Sequence, residues 1–424
     1  MSSLHTGAMS ARRYHCPTEP PDGFRDSYAE LLSSYGFRES EVPPENLTRI
    51  GWVSATDMLD SGFDDLNQWC LGDYLVFTLR IDTWKIPTKL FKAHLKKRVD
   101  AWLREHNRVR CPSVVRAEIR DLLQQELAQR VLPKTTLIDI VWRLSDKIVL
   151  VGTQVESKND TVRKLFFETF GVRLVAWSPL DHMGVDEAVA DRLQTVTHYD
   201  FAGHETMPDP DLVETTERIV RKALGRDGGE DTAAVVRGQI GGDMMDEFEA
   251  RMFNPWMAGE FLVYLWFVTS QVSGCKMEIH SGIVADLWVS DRLTFKGGRK
   301  DLDSTASITS ESASDDYVAL SALADQRLPE SVRFSLRIEE REYDFVLMAN
   351  PWMDLKSVKL PAVTASGGFD EGFYDRMFCL QELEDALNAL WQRFCVLRAS
   401  HADWHGQVDL IRAWVRDAID REGE

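Results

Sequence analysis

Apolar residues along the first part of the chain alternate between two periods. From Asp22 to Phe37 they fall at Phe24, Tyr28, Leu31, Leu32 and Tyr35, a helical spacing. RIGWVS follows as a short strand. GDYLVFTLRIDTW reads as a longer one, β-rich and bounded by Gly72 and Pro87. Pro87 suits the first turn of a helix. Beyond it, Leu90, Phe91, Leu95, Val99, Trp102 and Leu103 form an apolar stripe from Thr88 to Glu105. A second helix is predicted from Ser113 to Val131, with Ser113 after Pro112 as its N-cap. TTLIDIVWRL and KIVLVGTQV read as two strands around a turn at Ser145-Asp146. Asp160 to Phe170 is helical and stops at Gly171, a good C-cap residue, before the strand VRLVAW.

The pattern changes after residue 180. Residues 181–255 hold seventeen Asp or Glu against seven Lys or Arg, with helical stretches at Val185–Val196 and Asp209–Leu224 and glycine-rich breaks between. Pro255 to Gln271 is apolar all round and reads as a buried helix. Lys276 to Phe295 alternates like a hairpin, and SVRFSLRIEEREYDFVLMA does so again. Between them DLDSTASITSESASDD, Asp301 to Asp316, is Ser-rich and acidic and reads as a solvated loop. Glu371 to Leu397 and Gln407 to Ile419 close the chain as helices. Strands and helices are grouped rather than alternating, which predicts an α+β fold of antiparallel sheets with helices. Three regions are expected: an α+β unit over 1–180, an acidic helical insertion over 181–255, and a second α+β unit over 256–424. Residues 1 to about 12 read as a loose tail, with Met9 as a second possible start.

Composition narrows the class. The 424 residues are 44% hydrophobic, with 13 Trp and 20 Phe, enough for real cores. Six cysteines occur with no CxxC pair, so neither a zinc site nor a disulfide framework is indicated, and reduced thiols in a cytoplasm are expected. The N-terminus lacks the apolar stretch of a signal peptide. The longest apolar run, FLVYLWFV, is far short of the ~18–20 residues of a membrane span, so no membrane partner is predicted.

Formal net charge is −19, which by itself repels nucleic acid. The distribution reverses that inference. Lys85, Lys89, Lys92, Lys96, Lys97, Arg98, Arg104, Arg108 and Arg110 lie in one window opposed only by Asp100 and Glu105. Lys85, Lys89, Lys92 and Lys96 are spaced 4, 3 and 4, the spacing of one helix face, away from the Leu90, Phe91, Leu95 and Trp102 stripe. A packed side and a cationic side on one helix is what phosphate binding requires. The candidate site is therefore these nine residues, the partner double-stranded DNA, and no cofactor is called for. The competing view of any charge run is a solvated face.

Other chemistry is weaker. Asp139 with Glu156 and Lys158 imitates the D…ExK set of a Mg²⁺-dependent exonuclease, at loose spacing. His198, His204 and Glu205 resemble metal ligands but lack an HExxH or Cys partner. GRDGGED and GQIGGD lack the Lys-Ser/Thr ending of a phosphate loop and read as turns. Trp52, Trp102, Trp142, Trp266 and Trp288 fall on expected core faces. A protein-interaction module, its acidic segment docking a basic partner, is the alternative outside DNA chemistry.

The order of IGWVS, YLVFTLRIDT, IPTKLFKAHLKKRVDAWL, RAEIRDLLQQELAQRVLP, TTLIDIVWRLSDKIVLVGT and KLFFETFGVRLVAWSPL resembles the RdgC family of recombination-associated proteins. SVRFSLRIEEREYDFVLMANPWMDLKSVKLP and the helix from Asp370 resemble that family's C-terminal strand pair and closing helix. The resemblance implies a homodimer closed around duplex DNA in the nucleoid of the cytoplasm. It also implies binding largely independent of sequence and obstruction of RecA filaments. The family's basic helical region falls on Lys85 to Arg110, as a basic helical projection. Its gate aromatic falls in QRVLPK, where Val131 and Leu132 stand.

Overall fold

The computed structural model describes residues 7–40, 42–201, 255–271, 275–280, 283–296, 305–309, 317–362 and 369–423. The fold is α+β with antiparallel sheet pairing throughout its long strands. The chain forms two compact units, Tyr14–Leu174 and Met1–Arg13 with Val175–Glu424. Most of the expected acidic insertion, 202–254, lies outside the described residues, as does the expected helix at 209–224.

Strand β1 (Met9–His15) contains the chain position, Arg13–Tyr14, at which one unit gives way to the other. This corrects the loose-tail expectation: Met9 is fully buried, and so, nearly, are Arg12 and Arg13. Two adjacent arginines look like a solvated tail, yet each meets a partner in the larger unit. Arg12 grips the Asp354 carboxylate, Nη2 to Oδ2 2.9 Å, with its guanidinium 3.9 Å from the Trp352 ring centroid. Arg13 donates to the Met353 carbonyl at 3.1 Å. Burying both ends of such a pair is tolerable only with this geometry.

The Tyr14–Leu174 unit contains α1 (Phe24–Ser34), β2 (Thr48–Val53), α2 (Leu66–Trp69), β3 (Cys70–Leu71) and β4 (Tyr74–Thr83). Then follow α3 (Thr88–Glu105), α4 (Ser113–Ala128), β5 (Lys134–Arg143), β6 (Ile148–Val151) and α5 (Glu156–Phe170). Its sheet runs β6-β5-β4-β2, with β3 on β4. The inward faces of these strands carry Trp52, Phe77 and Trp142. They pack on Tyr28 of α1 and Phe166 and Phe170 of α5, with ring centroids 4.8–6.5 Å apart. Trp52 donates its indole N–H to Thr169 Oγ1 at 2.8 Å, so the ring is buried without stranding a donor. Gly51 is required where β2 meets the Gly36–Phe37 backbone: a Cβ there would lie 2.4 Å from Phe37 Cα. Gly171 takes φ 69° and ends α5, as its position after the apolar run predicts.

The other unit adds β7 (Val175–Ala176), α6 (Pro179–His182), α7 (Glu187–Leu193), α8 (Pro255–Gln271), β8 (Cys275–His280), β9 (Ile283–Lys296) and β10 (Thr305–Thr309). It continues with α9 (Tyr317–Ala324), β11 (Leu328–Ile338), β12 (Arg341–Met348), β13 (Leu355–Lys359), α10 (Phe369–Ala399) and α11 (His401–Gly423). Its sheet runs β10-β9-β11-β12-β13-β1. Strand β10 corrects the loop expected over 301–316. Thr305–Thr309 pairs with β9, because Thr-Ala-Ser-Ile-Thr has strand propensity that its polar setting obscures. Helix α8 is buried over most of its length, as an all-apolar helix must be. Its one carboxylate, Glu260, accepts from Arg398 Nε at 2.6 Å and from the Tyr199 N–H at 2.9 Å. Burial pushes the Glu260 carboxyl up to about 7 against the pull of Arg398.

Candidate nucleic-acid interface

The basic window is a helical hairpin inserted between two adjacent strands. β4 and β5 pair continuously from Tyr74↔Arg143 to Thr83↔Lys134. The chain leaves after Thr83, builds α3 and α4, and re-enters at Lys134. The last ladder pair therefore closes the base of the hairpin. Trp84, 7% exposed, anchors the exit by donating its backbone N–H to the Leu47 carbonyl at 3.0 Å.

Helix α3 spans the expected Thr88–Glu105. At ~1.5 Å per residue its 18 residues make a rod of ~27 Å. No residue of α3 is buried. Phe91, Leu95, Val99, Trp102 and Leu103 are only half-buried, and Leu90 is exposed. The expected packed side is thus partly covered, because the stripe faces the slender α4 rather than a sheet. On α4, Val115 and Ile119 are half-buried, while Leu123, Leu127 and Ala128 near the base are buried. Ser113 is the first helical residue of α4, not its cap: Pro112 holds the cap position and no side chain caps the helix.

All nine predicted cations are exposed, in one stretch of chain. Their arrangement differs from expectation at two of them. Lys85 precedes Pro87 and the first turn, so it stands outside the helix and the 4-3-4 face loses its first member. Arg98 lies on the flank toward α4, where it pairs with Glu126, which also accepts from Arg130 at 2.8 Å. At ~100° per residue, Lys89, Lys92, Lys96, Lys97 and Arg104 span an arc of ~140° that includes Asp100 and, between Lys92 and Lys96, the half-buried Leu103, so the cationic arc overlaps the edge of the apolar stripe. Among the described residues, no carboxylate lies within ion-pair distance of Lys85, Lys89, Lys92, Lys96, Lys97, Arg104, Arg108 or Arg110. Eight of the nine cations are therefore free to meet an external anion.

Sequence inspection did not single out Arg116 and Arg120 of α4. Both are exposed and spaced i, i+4, and no carboxylate pairs with them among the described residues. Glu118 and Asp121 alternate with them in RAEIRD and hide them in any window sum.

Glu156 and Lys158 follow the next strand, β6, as expected, in the first turn of α5. Asp139 is engaged by Thr78 Oγ1 at 2.8 Å. Among the described residues, no three His, Cys, Asp or Glu side chains are grouped to hold a metal. His204 and Glu205 lie outside the described residues, as do the two glycine-rich breaks. Trp52, Trp142 and Trp266 are buried as expected. Trp288 is 38% exposed, and Trp102 is half-buried, stacked on His106 at 4.3 Å. No helix among the described residues is long and apolar enough to cross a membrane. Neither a scan of protein-family models nor a search of curated proteins finds a match to this chain.

Proposed function

We propose that this protein holds double-stranded DNA by its phosphate backbone, without reading base sequence, through the cationic face of α3. One observation carries the proposal: eight exposed cations on one hairpin lack a carboxylate partner among the described residues, in a chain whose net charge is −19. Exposed Lys and Arg cost little to leave unpaired in water, so a run of them does not by itself imply a ligand. Here the chain has carboxylates in excess and leaves this rod unneutralised. The ~27 Å length of α3 matches about eight base-pair steps at ~3.4 Å each.

The resemblance to the RdgC family extends the proposal. Two copies would enclose the duplex, each contributing its basic projection, and the bound homodimer would obstruct RecA-type filaments and so modulate homologous recombination in the nucleoid. The chain departs from that family where its gate aromatic falls: Val131 and Leu132 stand there, with Leu132 90% exposed.

The test is equilibrium binding of a ~30-base-pair duplex across a salt series. If all eight cations contact phosphates, log Kd shifts with log salt with a slope approaching ~7 per hairpin. A protein-interaction module would bind duplex weakly and without that slope.

A further inference from the structure

We propose that the turn joining α3 to α4 enters the minor groove of the duplex and favours narrow, A·T-rich segments. The inference rests on the duplex-binding proposal and adds a groove to it: base edges stay unread, while groove width biases affinity toward A·T-rich segments. The turn, His106 to Pro112, carries Val109 between Arg108 and Arg110. Val109 is 96% exposed, more than any other large apolar side chain in the described structure. Both arginines are exposed and meet no carboxylate among the described residues.

The turn is nonetheless held in place. The Arg108 N–H donates to the Leu103 carbonyl at 3.0 Å, and the His106 N–H to the Trp102 carbonyl at 3.0 Å. The His106 ring stacks on Trp102 at 4.3 Å, and Asn107 takes φ 46°, which reverses the chain. An exposed apolar side chain thus stands at the end of a rod, with an exposed arginine before and after it in sequence.

The minor groove accepts this combination. It is ~6 Å wide, too narrow for a helix but open to a single turn of chain. Proteins that bind there insert arginines, drawn by the enhanced negative potential of narrow A·T segments, and often an apolar wedge beside them. Arg108 and Arg110 are at most ~7 Å apart along the chain, about two base steps. The uncapped N-terminus of α4 follows at once and can receive a flanking phosphate on its free N–H groups. Lys89, Lys92 and Lys96 then follow the backbone while the turn sits in the groove.

The experiment compares an A·T-tract duplex with a G·C duplex of equal length at one salt concentration, for the wild type and for Arg108→Lys/Arg110→Lys. The wild type should prefer the A·T duplex by about tenfold. The double variant keeps the charge and so the salt slope, but its preference should fall below about twofold, because ammonium groups lack the planar fork. A minor-groove-binding dye should be displaced by the wild type alone. Equal wild-type affinity for the two duplexes with a steep salt slope overturns the groove assignment and leaves the phosphate grip standing. Absence of any salt-dependent duplex binding overturns both. A variant that keeps the A·T preference also refutes the role given to the arginines.

Discussion

Neutralising the cationic face of α3 should weaken duplex binding without disturbing the fold. The informative variant is Lys89→Gln/Lys92→Gln/Lys96→Gln/Lys97→Gln. All four side chains are exposed, and none has an ion-pair partner among the described residues. Each should therefore change stability by less than ~0.5 kcal/mol, and the melting curve should stay near that of the wild type. Each phosphate contact contributes ~0.9 to the salt slope, so losing four lowers it by up to ~3.6 per hairpin. Across a fourfold change in salt, that is a difference of roughly 150-fold in how steeply affinity falls. Arg98→Gln is the control, since Arg98 already pairs with Glu126 and should change the slope by well under ~0.9. Fluorescence anisotropy on a labelled duplex between 50 and 300 mM salt reads all three proteins. Equal slopes for the wild type and the quadruple variant, or an Arg98 variant as impaired as the quadruple one, would refute the reasoning.

Other outcomes test the scaffold. Gly51→Ala places a Cβ 2.4 Å from Phe37 Cα, a backbone clash, and should cost ~1–3 kcal/mol in denaturant unfolding. Asp354→Ala leaves the nearly fully buried Arg12 guanidinium without its carboxylate and should cost ~3–5 kcal/mol, whereas an exposed pair such as Lys164–Glu168 should cost less than ~1 kcal/mol. In native protein at pH 8, Cys111, half-buried in the α3–α4 turn, should alkylate readily. Cys16, fully buried and with its thiol pushed up to about 12 mainly by that burial, should react only after unfolding, as peptide mass mapping would read.

Periodicity made much of the fold legible. The 18 residues of α3 follow from an apolar stripe after a proline, and β11 and β12 from strict alternation. It did not reveal how much of a stripe is covered. Val99 and Trp102 sit at core-like spacing yet stay half-exposed, because among the described residues the slender α4, not a sheet, is the main element packed on α3. β1 was illegible because Arg12 is paired with Asp354, 342 residues away, and Arg13 with the Met353 carbonyl, 340 away, and no local pattern encodes partners that distant. Lys85 shows the limit of spacing arguments for the site. It keeps helical register with Lys89 in sequence, but Pro87 at the cap position holds ψ at 121°, so the helix begins only after it.

The central claim, that the α3 face contacts duplex, is tested most directly by lysine acetylation read by mass spectrometry with and without saturating duplex. Lys89, Lys92, Lys96 and Lys97 should lose reactivity severalfold on addition of duplex, while exposed Lys164 and Lys356 should not change. Uniform protection of every lysine, or none at the α3 positions while duplex is bound, would place the contact elsewhere and contradict the account.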